Sequence, residues 1–317
     1  MCPQEKKMSW IELSLNATHE AVDWVCTLLA EVGYIDDIQI VSYCQPDRST
    51  TQNDWAFTIC LYLPNKVGVS SQLEKIADLL APLHRTGLTT ALEIAIVEEK
   101  PVETRDRTHR IGQRFVVLAP DTLYQPQPND ILLKLGTSLS FGSGFHPATR
   151  LSLELLERYI HPAMHVLDLG CGSGILSVAI AKLGATVLAL DNDPIAVKST
   201  QTAVQQNGVE SQVTVIEGSL GRGSNLGHWM GGTTQEMPPI EPAANFDLIV
   251  ANIFARVHIA LAPDFRQSLR PLGTAIAAGF TIDYADEVTK AFTEAGFEEV
   301  DRVRSQEWVA LAYRLIA

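Results

Sequence analysis

The sequence predicts two domains of different class. One is a mostly parallel, doubly wound α/β sheet of the Rossmann-like kind, and a smaller ferredoxin-like α+β domain precedes it. Three observations carry this. Apolar residues alternate with period two, then three to four, then two over the first hundred residues. From residue 165 onward, short and nearly all-apolar strands alternate with amphipathic helices, the pattern of a sheet covered on both faces. Between them lies the glycine-rich "FGSGFHPATR", too rich in glycine for a strand. The 317 residues are 46% hydrophobic and 19% charged, an ordinary globular balance with material for two cores.

The first domain reads β-α-β-β-α-β. In "WIELSLN", Ile11, Leu13 and Leu15 share one strand face. "HEAVDWVCTLLAEVGY" brings Val22, Val25, Leu28, Leu29 and Val32 to helical spacing, with Gly33 as its stop. "IDDIQIVSY" and "WAFTICLYLP" are strands around a polar loop. "SSQLEKIADLLAPLHRTG" is a helix whose end Pro82 limits or bends, and "LTTALEIAIVEE" is an alternating strand. That order is ferredoxin-like, which places a domain at 1–97. Residues 98–136 read as a charged linker, "EEKPVETRDRTHRIGQR", followed by the short strands "FVVLAP" and "ILLKL".

The second domain, 137–317, begins with the glycine loop. It continues through "HVLDLG", "ILSVAIAKLG", "TVLALD", "PIAVKSTQTAVQQNG", "QVTVIEG", "FDLIVAN", a helix over "RVHIALAPDFRQSLR", "GTAIAAGF", "YADEVTKAFTEAG" and two terminal strands. Residues 220–245, rich in glycine and proline, interrupt this rhythm as a long inserted loop.

The composition limits function. A net charge of −13 disfavours a nucleic-acid surface, which needs a basic face. No apolar run reaches a membrane span and no secretory signal opens the chain, so a cytoplasmic location is expected. The five cysteines form no C-x-x-C pair, and Pro162 separates His161 from His165, so neither a disulfide nor a metal site is expected.

The chemistry concentrates in "VLDLGCGSGILSVA". Gly170, Gly172 and Gly174 let the chain turn tightly against a ligand. The spacing is G-x-G-x-G with Ile175 next, not the G-x-G-x-x-G of a dinucleotide site. Asp168, two residues before the first glycine, would repel a pyrophosphate but suits a ligand bearing an amino group and a sulfonium. Asp191 ends the next strand, 21 residues after Gly170, where a carboxylate accepts both ribose hydroxyls. Taken singly, Asp168 reads as a turn cap, and Asp191 or Asp193 as a helix cap. In register after successive strands, they point to an S-adenosylmethionine pocket. Cys171 has no histidine base beside it and reads as backbone filler.

Asn252 ends "FDLIVAN", at the carboxyl end of a strand, and can offer a carbonyl to an incoming amine or cap the next helix. The following Ile253 and Phe254, in place of Pro-Pro-aromatic, disfavour a clamp on a planar base.

On "MSWIELSLN", "FGSGFHPATR", "VLDLGCGSGILSVAIAKLGA", "LDNDPIAV", "NGV" and "VANIFA", in that order, the chain resembles the ribosomal protein L-eleven methyltransferase family. The resemblance spans most of 8–30 and 138–280. It implies a class I methyltransferase domain joined by a linker to a ferredoxin-like substrate-recognition domain. It also implies methyl transfer from S-adenosylmethionine to lysine side chains and the N-terminal amine of that ribosomal protein. Thr149, Gly170, Asp191 and Asn252 become cofactor contacts by the same resemblance. Phe141 and Phe145 then either shield the sulfonium or simply pack, and with Asn252 they are the candidate catalytic residues. This chain departs from the family's pattern at Ser143, Phe145 and Ala148. It also has no tryptophan in "ETRDRTHRIGQR", and it carries the 220–245 insertion. A methyltransferase acting on another protein or a small molecule, and a non-catalytic binding module, are the alternatives.

Overall fold

A computed structural model describes residues 9–32, 34, 38–43, 55–66, 68–99, 108–118, 122–134, 146–221, 239–240 and 243–316. The chain divides into two units, Met1–Arg107 and Thr108–Ala317.

The first unit contains β1 (Trp10–Ala17), α1 (Ala21–Glu31), β2 (Ile38–Ser42), β3 (Phe57–Pro64), α2 (Val69–Arg85) and β4 (Glu93–Val97). Its sheet runs β2-β3-β1-β4 with every neighbouring pair antiparallel, which is the ferredoxin-like topology. The period-two alternation of β1 is realised: Ile11, Leu13 and Leu15 are buried. Val25 and Leu29 of α1 and Ile76 and Leu80 of α2 surround one small cavity with Leu13, Leu15, Ile59 and Leu61. α2 continues past Pro82 to Arg85, and Thr86 closes it by donating from its N–H and hydroxyl to the Pro82 carbonyl. β4 differs from the half-buried strand expected. It forms the sheet edge, and Ile94 and Ile96 are 55% and 72% exposed.

The second unit starts earlier than the sequence suggests. β5 (Thr108–Ile111), β6 (Phe115–Leu118) and β7 (Ile131–Lys134) form a three-stranded sheet. Ile111, Phe115, Val117, Ile131 and Leu133 join one hydrophobic core with Leu151, Leu155, Val178 and Ile180. The expected linker is therefore interrupted from residue 108, because these buried side chains belong to the second unit's core.

The rest of this unit comprises α3 (Pro147–Tyr159), β8 (His165–Leu169), α4 (Ile175–Lys182), β9 (Thr186–Asp191), α5 (Pro194–Asn207) and β10 (Val213–Glu217). The short β11 (Ser219–Leu220) and β12 (Pro239–Ile240) pair in parallel, so part of the expected 220–245 loop is strand. Then come β13 (Phe246–Asn252), α6 (Ala255–Ser268), β14 (Leu269–Thr281), a 3-10 turn (Ile282–Tyr284), α7 (Ala285–Glu294), β15 (Phe297–Ser305) and β16 (Trp308–Leu315). β14 begins at Leu269, two residues inside the helix expected to end at Arg270.

The seven-stranded sheet runs β10-β9-β8-β13-β14-β16-β15. The strands from β10 to β14 are parallel, and β16 is antiparallel to both neighbours. Strand order reverses between β8 and β13. In such a sheet, ligands bind at the carboxyl ends of the strands beside that reversal. Two cores cover the faces, one around Leu153, Val178 and Val250 and the other around Phe265, Phe292 and Tyr313. Phe292 and Tyr313 stack at 4.5 Å between ring centres.

Candidate functional site

The turn after β8 is tied to its neighbours by backbone. The Gly170 and Cys171 N–H groups both donate to the Leu190 carbonyl, at 2.8 and 3.1 Å. The Gly172 N–H donates to Asp191 Oδ2 at 2.9 Å. Two of the glycines are demanded by protein contacts. A Cβ on Gly170 would lie 2.6 Å from Ile253 Cγ2, and one on Gly174 would lie 2.9 Å from Thr200 Cα of α5. Gly174 thus brings α4 and α5 together as well as opening α4.

The three acids divide their labour. Asp193 is the N-cap of α5: its Oδ1 accepts from the Ile195 N–H at 2.8 Å, ahead of Pro194 at the first helical position. Asp191 accepts from Gly172 and from the Asp193 N–H, so it organises the end of β9 instead of capping the helix. Burial raises its pKa, while the Gly172 and Asp193 N–H groups pull it back down. Replacing Asp193 by alanine is expected to lower stability by about 1 kcal/mol, read by urea denaturation, because one helix cap is lost.

Asp168 is enclosed, with no exposed surface. Its Oδ2 accepts the Ser177 hydroxyl at 2.5 Å, and its buried Oδ1 has no hydrogen-bond partner among the described residues. Burial first, with the nearby Asp191 charge adding, pushes its carboxyl up to about 7. An orphaned buried carboxylate oxygen at this turn fits a cationic ligand group. The Cys171 thiol is buried and accepts the Thr200 hydroxyl at 3.2 Å, and desolvation raises its pKa, which disfavours the thiolate.

α3 contributes from the other side of the reversal. Its N-cap is His146, whose Nδ1 accepts from the Ala148 N–H at 3.2 Å, with Pro147 as the first helical residue. Residues 147–150 are therefore helix and not loop. The "HP" pair carried that signal, since proline suits the first helical position and keeps the residue before it extended. The His146 ring meets Trp308 edge-on at 4.4 Å, a contact that no local pattern predicts. Thr149, buried in the first turn, accepts a hydrogen bond from Asn252 Nδ2 at 3.2 Å. Helix α3 and the end of β13 are thereby joined through these two side chains.

Thr149 and Asn252 thus meet directly, as do Gly172 and Asp191, and Gly170 abuts Ile253 beside Asn252. Phe141 and Phe145 lie outside the described residues. Phe254 is 45% exposed at the start of α6, with the Arg256 guanidinium 5.9 Å over its ring. His165 Nδ1 pairs with the Asn245 carbonyl and its ring stacks on Phe246. Among the described residues, no group of three or more His, Cys, Asp or Glu is placed to hold a metal ion.

The family model described as "Ribosomal protein L11 methyltransferase (PrmA)" matches residues 9–315. A ribosomal protein L11 methyltransferase from Chloroflexus aurantiacus is 39% identical over 324 residues, covering 96% of this chain and 98% of its own length. One from Herpetosiphon aurantiacus is 38% identical, covering 97% and 99%. Among solved structures, a ribosomal protein L11 methylase from Lactobacillus delbrueckii subsp. bulgaricus is 27% identical with a TM-score of 0.53, covering 67% of this chain and 100% of that one. The residues matched by the family model, 9–315, span the positions of both the tryptophan-free segment and the 220–245 insertion. This chain belongs to the ribosomal protein L11 methyltransferase family.

Proposed function

We propose that this chain methylates amines of ribosomal protein L11, at lysine side chains and the N-terminus, with S-adenosylmethionine as donor. The observation that carries the reading is the Asn252–Thr149 hydrogen bond beside the glycine turn, which fixes a polar side chain at the switch point. When bound, S-adenosylmethionine supplies an electrophilic methyl group on a sulfonium.

The chain's own residues then have separate tasks. Asp191, already aligned by two backbone N–H groups, holds the ribose hydroxyls. The turn Gly170–Gly174 and the first turn of α4 supply close backbone. Asp168 turns to a positive group the oxygen that no described residue partners. Asn252 spends its amide N–H on Thr149, which leaves Oδ1 as the acceptor that orients an amine. A lysine amine, with a reference pKa of ~10.4, must lose its proton before it attacks. Apolar walls promote that loss by desolvation, and Phe141 and Phe145 are assigned there. Alignment of nucleophile, methyl and sulfur is the main demand of an in-line displacement. The ferredoxin-like unit is assigned to protein-substrate recognition. We read the enzyme as cytoplasmic; among the described residues no helix is long and apolar enough to cross a membrane.

The test is transfer of radiolabelled methyl to purified ribosomal protein L11, with mass spectrometry of the product. Label on lysines or on the N-terminal amine is expected. Cofactor binding by calorimetry without any label would overturn the substrate, and absence of cofactor binding would overturn the donor.

A further inference from the structure

We propose that His258 is a positioning residue for methyl transfer, which fixes the β13–α6 corner and so the aim of Asn252. The inference rests on the reading of Asn252 as the residue that orients the amine.

His258 lies one turn into α6 with no exposed surface. Its ring packs among Phe265, Phe280 and Phe292, at centre distances of 6.2, 5.4 and 6.4 Å. An imidazole in such a cage costs free energy that a phenylalanine or leucine would not, unless its polar atoms are used. Here Nε2 is used, on one backbone carbonyl, while Nδ1 has no hydrogen-bond partner among the described residues. Nε2 lies 2.9 Å from the Ala278 carbonyl oxygen. A carbonyl only accepts, so Nε2 carries the proton and donates.

The same Ala278 oxygen accepts the Ile253 N–H at 3.0 Å, and Ala278 is the register partner of Asn252. His258 therefore holds the carbonyl to which the residue after Asn252 is anchored. Burial lowers the ring's pKa to about 4, against the opposing pull of the Ala278 and Ile253 backbone. The ring is neutral at physiological pH, as a donor with a fixed tautomer requires. Gly279 closes the corner from the next position: a Cβ there would lie 2.5 Å from the Ile253 oxygen. The segment carrying Asn252 is thus held against β14 by the Ala278 carbonyl that His258 engages and by the bare backbone of Gly279. Both arrangements suit a residue whose angle to the substrate matters more than its mere presence.

The experiment compares full-length wild type with His258→Phe, His258→Gln and Asn252→Ala. A glutamine places its amide nitrogen where Nε2 stands and can donate to the same carbonyl. The expected result for His258→Phe is a kcat about tenfold lower per folded molecule, with KM for ribosomal protein L11 and the calorimetric cofactor Kd within about twofold. Hydrogen exchange at the Ile253 amide should accelerate by about tenfold in the same variant. His258→Gln should recover most of the kcat and the slow exchange.

An unchanged kcat in His258→Phe beside an impaired Asn252→Ala would overturn the inference alone. An unimpaired Asn252→Ala would overturn the reading of Asn252 and this inference with it. Should His258→Phe fail to fold, His258→Gln decides. Wild-type kcat with slow exchange supports the assignment, and a folded glutamine variant with slow exchange but depressed kcat overturns it.

Discussion

Replacing Gly279 by alanine is expected to destabilise the second unit by about 3 kcal/mol or more. Two costs add. The backbone sits at φ +93°, where an L side chain is strained by roughly 1–2 kcal/mol. The new methyl would also lie 2.5 Å from the Ile253 oxygen and 2.6 Å from its nitrogen, and packed backbone does not yield as a flexible side-chain end does. Gly208 at the end of α5 separates the two costs. It also has positive φ, at +65°, but a Cβ there meets nothing within 4 Å. Gly208→Ala should therefore cost only about 1 kcal/mol. Urea denaturation of both variants checks this. Equal losses would show that the corner next to Asn252 has room to move. Wherever Gly279→Ala still folds, its kcat should fall, because the displaced backbone is that of Asn252 and Ile253.

That corner also shows where reading the sequence stops. Periodicity carried both sheets, because a face buried along its whole length repeats in the residues themselves: Ile11, Leu13 and Leu15 lie inward as their spacing requires. The turn Gly170–Gly174 and the acid at the end of β9 were legible because one strand–turn–helix unit and the strand after it contain them. What escaped depends on residues distant in sequence. Thr149 meets Asn252 across 103 positions, and His258 meets Ala278 across 20. The close approach of Gly174 to Thr200 Cα joins residues 26 positions apart. The edge strand β4 alternates like a buried one, because alternation reports which face a residue takes and not what covers that face. Residues 108–134 read as linker since the run before them is charged, and only the packing of Phe115 and Leu133 assigns them to the second unit.

Asp168 is expected to make stability fall as pH rises from about 4 to 7. Its carboxyl is shifted from an ordinary 3.8 up to about 7. Below pH 4 the group is protonated whether the chain is folded or not, and it contributes no difference. Between 4 and 7 the unfolded chain releases the proton while the folded chain keeps it. The unfolded state then binds fewer protons, so stability declines with pH. Above 7 both states are ionised and the penalty is complete. Three pKa units at about 1.36 kcal/mol each set its upper bound near 4 kcal/mol.

Asp168→Asn removes the charge and keeps an oxygen to accept the Ser177 hydroxyl. The amide leaves its own N–H groups without a partner, a constant cost that does not vary with pH. The quantity to measure is thus the stability difference between variant and wild type, by urea denaturation at pH 4 to 8. It should move in favour of asparagine by a few kcal/mol across that range, as other titrating groups cancel in the difference. Parallel curves would show that Asp168 is ionised at no cost in the folded chain. A carboxylate kept at a stability penalty needs a compensating role, and under the proposed function that role is to meet a cationic ligand group at the oxygen that no described residue partners. The same substitution should then weaken S-adenosylmethionine binding while it stabilises the chain above pH 7. Those opposite signs distinguish a site acid from a merely misplaced one.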